Sequence, residues 1–204
     1  PAEEDGSGAE RVIEDARFEQ IKPDYALSLH NFPGLPLGHA VVAAGPMNCA
    51  SRGVRISLKG RTAHASQPET GVSPALALAE LVQGFKTLNS NTGSDDPAFS
   101  LVAVTHATLG VPAFGIAPGH AELWVTLRTQ KDAKMADLVA QTEALVSNTA
   151  EAHGLQTDLS YHDVFHHCDN NAEATEILRT ALLQAQVPLV ETEMPMRGSE
   201  DFGR

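Results

Sequence analysis

The sequence predicts an α/β protein with an inserted unit of ferredoxin-like layout, on three observations. Apolar and polar residues alternate in several short stretches, two segments between them repeat apolar residues at helical spacing, and the order is strand, helix, strand, strand, helix, strand. Antiparallel strands with both helices on one face are the economical packing for that βαββαβ order. The flanks read as pieces of a different α/β layer. The expected division is therefore 1–48 and 167–204 in one layer, with 49–166 inserted between them.

In the first flank, Ser7 and Glu10 have capping-box spacing and predict a short helix through Val12 and Ile13. Tyr25 to Leu29 then reads as a buried strand, ending at His30 in a loop stiffened by Pro33 and Pro36. In the insert, Val54, Ile56 and Leu58 alternate with Arg55, Ser57 and Lys59 and predict a half-buried strand. Ser73 and Pro74 predict the start of a helix whose Leu78, Leu81, Val82, Phe85 and Leu88 share a face. Phe99–Thr105 and Ala121–Leu127 are the next strands, either side of the Gly/Pro-rich stretch from Gly110 to Gly119. A second helix carries Met135, Leu138, Val139, Leu145 and Val146 and ends at Gly154, and Leu159 with Tyr161 marks the last strand. In the second flank, Asn170 and Glu173 predict a capped helix bearing Ile177, Leu178, Ala181 and Leu182, stopped by Pro188.

Composition narrows the partners. At 204 residues and 42% hydrophobic, the chain can bury a real core. A formal net charge of −12 argues against nucleic acid and anionic membrane surfaces, which need a basic patch. No stretch approaches the roughly 20 apolar residues of a membrane span. Cys49 and Cys168 are too few for a disulfide scaffold, so two reduced thiols in a cytoplasmic protein are expected.

Glu3, Glu4 and His30 are the chemically suggestive residues. A carboxylate that binds a metal, a second that takes a proton from activated water, and an imidazole after an apolar strand are what hydrolysis of an unactivated amide needs. Taken alone, Glu3 and Glu4 read as a solvated acidic stretch that Asp5 continues, and His30 as a satisfied histidine at a strand end. His166, His167 and Cys168 form a cluster, but neighbours on a strand point to opposite faces, so they read as the crossover back to the outer layer.

Four motifs in order, Pro1-Ala-Glu-Glu, Leu29-His-Asn-Phe-Pro-Gly, Gly60-Arg-Thr-Ala-His-Ala-Ser-Gln-Pro and Gly198-Ser-Glu-Asp-Phe, resemble the metal-dependent amidohydrolases of the aminoacylase, hippurate hydrolase, auxin-conjugate hydrolase and carboxypeptidase G family. The resemblance implies a catalytic domain with two divalent metals (Zn, Mn, Co or Ni), an inserted ferredoxin-like lid that makes a homodimer, and hydrolysis of N-acyl amino acids. It implies that Glu3 is the general base and that Glu4 and His30 are metal ligands. It also implies that the lid's His64 stabilises the oxyanion in the partner subunit's site. Arg128 is then placed to hold the substrate's carboxylate, and Glu200 and Asp201 to support the ligands. Otherwise His64 is an exposed loop histidine and Arg128 a solvated or ion-paired arginine.

The sequence departs from that family in three ways. Its His-x-Cys-Gly-His-Asp element and its final ligand histidine are absent, and its Asn-Val-Ile-Pro turn reads Gly115-Ile-Ala-Pro. The chain is therefore expected to be a fragment, with partial or no metal occupancy and little activity by itself. The alternative is a non-catalytic dimerisation or peptide-binding module. In either case an exposed edge strand of the lid is expected to pair with its two-fold mate.

Overall fold

The computed structural model describes residues 5–203. It opens with α1 (Gly8–Glu14) and the single turn α2 (Phe18–Ile21). Ser7 occupies the cap position of α1, but its hydroxyl donates to Asp5 Oδ1 instead of accepting from the helix. The Ala9 N–H is accepted by Asp201 Oδ2 at 2.6 Å, from the far end of the sequence. Residues 25–29, expected as a buried strand, form none, and Leu29 is 96% exposed. A strand needs a neighbouring edge to satisfy its N–H and C=O groups, and no described residue offers one here.

Next come the last strand of the first flank and the elements of the inserted unit. β1 (Gly45–Asn48) leads into β2 (Ala50–Lys59), followed by the two-residue β3 (Ala63–His64) and α3 (Ala75–Gly84). Then come β4 (Ser100–Leu109), the short β5 (Ile116–Ala117), β6 (His120–Thr129), α4 (Asp132–Ala152) and β7 (Gln156–Phe165). The four long strands make one antiparallel sheet in the order β4-β6-β2-β7, the ferredoxin-like arrangement expected from βαββαβ. Val54, Ile56 and Leu58 of β2 and Leu123, Val125 and Leu127 of β6 turn one face inward. Against them pack Ala77, Leu81 and Phe85 from α3 and its following turn, and Met135, Leu138 and Val146 of α4. Burying each of the larger side chains stabilises by about 1.5–3 kcal/mol.

The two helices cross closely at Gly84, where an added Cβ would meet the Leu145 side chain at 3.1 Å. Ser73, the expected cap, sits one residue before the observed cap position, which Pro74 occupies, and its hydroxyl accepts from the Ala75 N–H at 3.3 Å. Strand β4 lies at the sheet edge, and from Ala103 to Leu109 its residues are exposed.

The chain then returns through β8 (Cys168–Asn170), which pairs antiparallel with β1, and α5 (Ala172–Gln184). Asn171, not Asn170, caps α5, its side chain accepting from Glu173 and Ala174 N–H. Asn170 instead donates to the Ala43 carbonyl at 3.0 Å. The segment around Met196 runs parallel to β1, exchanging backbone hydrogen bonds with Met47 and Cys49. No helix of the described residues is long and apolar enough to cross a membrane.

Candidate active site

A cleft of about 760 Å³ opens where the loop carrying His30 lies over β1, β8 and α5. His30, His167, Cys168, Asn171, Glu200 and Phe202 are among its walls. Glu200 Oε2 lies 2.7 Å from His30 Nδ1, joining residues 170 positions apart. A carboxylate only accepts, so Nδ1 carries the shared proton, and in the neutral ring the lone pair is on Nε2. Glu200 is largely buried and His30 about half exposed, so the rigid partner orients the open one. The second Glu200 oxygen accepts from the Asp201 N–H at 3.0 Å. Adjacent acidic residues thus tie down two separate motifs, Glu200 the His30 loop and Asp201 the start of α1.

Glu3 and Glu4 lie outside the described residues. Among the described residues, no three His, Cys, Asp or Glu side chains converge to hold a metal ion. The described residues therefore fit one supported imidazole ligand, not a complete metal site. Neither thiol changes that. Burial pushes Cys49 up to about 11 against the pull of Arg128 and Arg197. Burial, with Glu200 and Asp169 nearby, also raises Cys168. A thiolate is the ligand form, and both sites disfavour it.

Arg128 projects from β6 toward the segment after Met196, its Nη1 donating to the Arg197 carbonyl at 2.7 Å and to Ser199 Oγ at 2.9 Å. Burial lowers its pKa below the usual guanidinium range, with Cys49 opposing. It ties the lid sheet to the loop that carries Glu200. His64 sits in β3, paired with Ile116 of β5. Neither His64 nor Arg128 lines the cleft among the described residues.

The crossover differs from the expectation for 166–168. β7 ends at Phe165 and β8 begins at Cys168, so the face alternation is broken between them. Asp163 adopts φ 48°, and the pairing with β2 slips by one residue between Gly53 and Ser51, which turns the end of β7. Both rings then converge on one carboxylate. His166 Nδ1 and His167 Nδ1 lie 2.9 and 3.0 Å from Asp132 Oδ2, and the His167 N–H donates to Oδ1. Burial pushes the Asp132 carboxyl up, but the hydrogen bonds from both histidines outweigh it and lower its pKa. This cluster, and the presence of His167 and Cys168 in the cleft wall, escaped the sequence reading. The one available signal was Asp132 at the first turn of a predicted helix.

Comparison with known proteins agrees with this architecture. The peptidase dimerisation domain of the M20 family matches residues 48–154. The chain is 28% identical over 204 residues to N-acetyldiaminopimelate deacetylase of Priestia megaterium, covering 100% of this chain and 54% of that one. It is 27% identical over 203 residues to N-acetyl-L-cysteine deacetylase of Bacillus subtilis, covering 99% of this chain and 47% of the relative. The chain thus spans about half the length of the relatives it matches. Its fold is similar to that of the Bacillus subtilis YXEP protein, a dinuclear metal binding peptidase from the M20 family, with a TM-score of 0.69 at 20% identity. That match covers 100% of this chain and 50% of the other. With its lid sheet, its crossover and the match over 48–154, the chain belongs to the M20 peptidase family.

Proposed function

We propose that the chain is the lid-bearing part of a metal-dependent amidohydrolase that splits N-acyl amino acids into a carboxylic acid and a free amino acid. In this reading 1–48 and 167–204 belong to the catalytic layer and 49–166 is the lid. The substrates are hippurate-like or, as the names of the relatives suggest, carry a small acyl group such as acetyl. The observation that carries it is the 2.7 Å contact between Glu200 and His30, because a carboxylate behind an imidazole is how proteins orient a metal-binding histidine.

Two divalent cations (Zn, Mn, Co or Ni) are the proposed cofactors. His30 Nε2 and the Glu4 carboxylate would each give one ligand, and parts of the protein outside this chain the others. When bound, such ions polarise the scissile carbonyl and make water a nucleophile at neutral pH. Glu3 is the proposed base that takes the proton from attacking water and returns it to the leaving amine. Arg128, its Nη1 engaged by the loop, would hold the substrate carboxylate through Nη2 and Nε. His64 would reach the partner's site as an oxyanion donor. The homodimer would form along the outer edge of β4, beside which Val104, Leu109, Val111 and Phe114 are exposed. Antiparallel pairing there would join two four-stranded sheets into one. Two buried free thiols suit a cytoplasmic setting.

The test uses the full-length protein with added zinc, manganese or cobalt and a panel of N-acyl amino acids. Glu200→Gln should weaken metal binding about 10–100-fold while the protein stays folded. A full-length protein that binds no divalent metal and hydrolyses none of the panel would leave only the reading as a non-catalytic dimerisation or peptide-binding module.

A further inference from the structure

The hydrogen bonds around His64 fix which of its nitrogens carries the proton. The Ser66 backbone N–H points at His64 Nδ1 from 3.1 Å, and Ser66 Oγ lies 2.7 Å from the same atom. A backbone N–H can only donate, so Nδ1 must present its lone pair. The neutral ring then has its proton on Nε2, the nitrogen turned away from the turn. The main chain on both sides is held as well. The Ala65 N–H donates to the Gly115 carbonyl at 3.0 Å, the Gln67 N–H donates to the His64 carbonyl at 2.9 Å, and His64 pairs with Ile116. His64 and Ser66 are otherwise exposed, so no second protein group competes for Nε2–H among the described residues.

We propose that Ser66 is a positioning residue that locks His64 as an Nε2–H donor, aimed outward to a developing negative charge. Its functional consequence rests on the reading of His64 as the oxyanion donor to the partner subunit, whereas the tautomer itself does not. An oxyanion donor works only if its N–H faces the charge before the reaction begins. With the hydroxyl removed, the ring keeps only the longer N–H contact, and the other tautomer, which offers a lone pair where a donor is needed, becomes accessible.

Two measurements test this. In long-range ¹H–¹⁵N spectra of the 204-residue chain at about pH 8, where an ordinary imidazole is neutral, His64 should show an unprotonated Nδ1 and a protonated Nε2. Ser66→Ala should move it toward a mixture and Ser66→Thr should restore it. A protonated Nδ1 in the wild type overturns the proposal. In the full-length protein, Ser66→Ala should lower kcat about tenfold at nearly constant KM, with Ser66→Thr recovering most of it. The same Ser66→Ala change should add nothing in a His64→Ala background. An equal loss in that background means Ser66 does not act through His64 and sinks the proposal, as does a neutral Ser66→Ala beside an impaired His64→Ala. A fully active His64→Ala instead brings down the oxyanion reading, and with it the catalytic part of this inference.

Discussion

Apolar residues make up a comparable share of the lid and of the loop that carries His30, and the two fold by different rules. In the lid, the apolar faces of β2, β6, α3 and α4 meet one another and close into one core, while the outer half of β4 stays exposed. In residues 22–44 the apolar side chains find little to pack on, and Leu29 and Leu37 stand in solvent. Hydrophobicity is therefore not what separates a strand from a loop in this chain. The difference is whether a partner edge or face exists among the residues present.

That contrast predicts very unequal costs for similar truncations. Phe85→Ala, at a side chain 1% exposed between the helices and the sheet, should cost about 3–5 kcal/mol in urea denaturation of the lid. Leu29→Ala should change stability by less than about 0.5 kcal/mol. Comparable losses at the two sites would mean that the His30 loop is packed in solution, and the distinction between the regions would collapse.

The same contrast explains what could be read from residues alone. Leu81 and Phe85 on one helix face, and Val54, Ile56 and Leu58 on one strand face, are local periodicities, and each was buried as its pattern required. The site depends on contacts that no local pattern records. His30 and Glu200 are 170 residues apart, and only the resemblance of their motifs suggested that they meet. The convergence of His166 and His167 needed a positive φ at Asp163. It also needed two glycines that approach the crossover closely: a Cβ on Gly6 would strike the Val164 carbonyl at 2.7 Å and one on Gly203 the His167 carbonyl at 2.5 Å. Alternation rules assume an unbroken strand, and the strand breaks at that point. At Asn170 the error was one residue, because two adjacent asparagines can both cap a helix and the choice falls to Asn170's bond with Ala43.

The two asparagines supply a smaller test across the boundary. Asn171→Ala removes a side chain that accepts from two helix N–H groups and should cost about 1 kcal/mol, seen as fraying of α5 in amide exchange. Asn170→Ala should leave the α5 amides protected and loosen the segment around Ala43 instead. Fraying of α5 in both variants would show that the two segments unfold together.

The weakest expected effect lies at Asp132, where the lid helix meets the crossover. Its pKa is below the ordinary 3.8 because the bonds from His166 and His167 outweigh the opposing effect of burial. A carboxyl whose folded value lies below its unfolded one makes the unfolded chain the better proton binder in that window. The stability it contributes is thus complete above the unfolded value and is lost as pH falls through the folded one. Asp132→Asn removes the titrating group, so the urea midpoint of the variant should decline less steeply than that of the wild type between about pH 5 and pH 3. The side chain is more than a third exposed, so solvent screening keeps the difference small. Identical slopes in wild type and variant would mean that neither histidine holds the carboxylate in solution. The junction would then be no more ordered than the loop that carries His30.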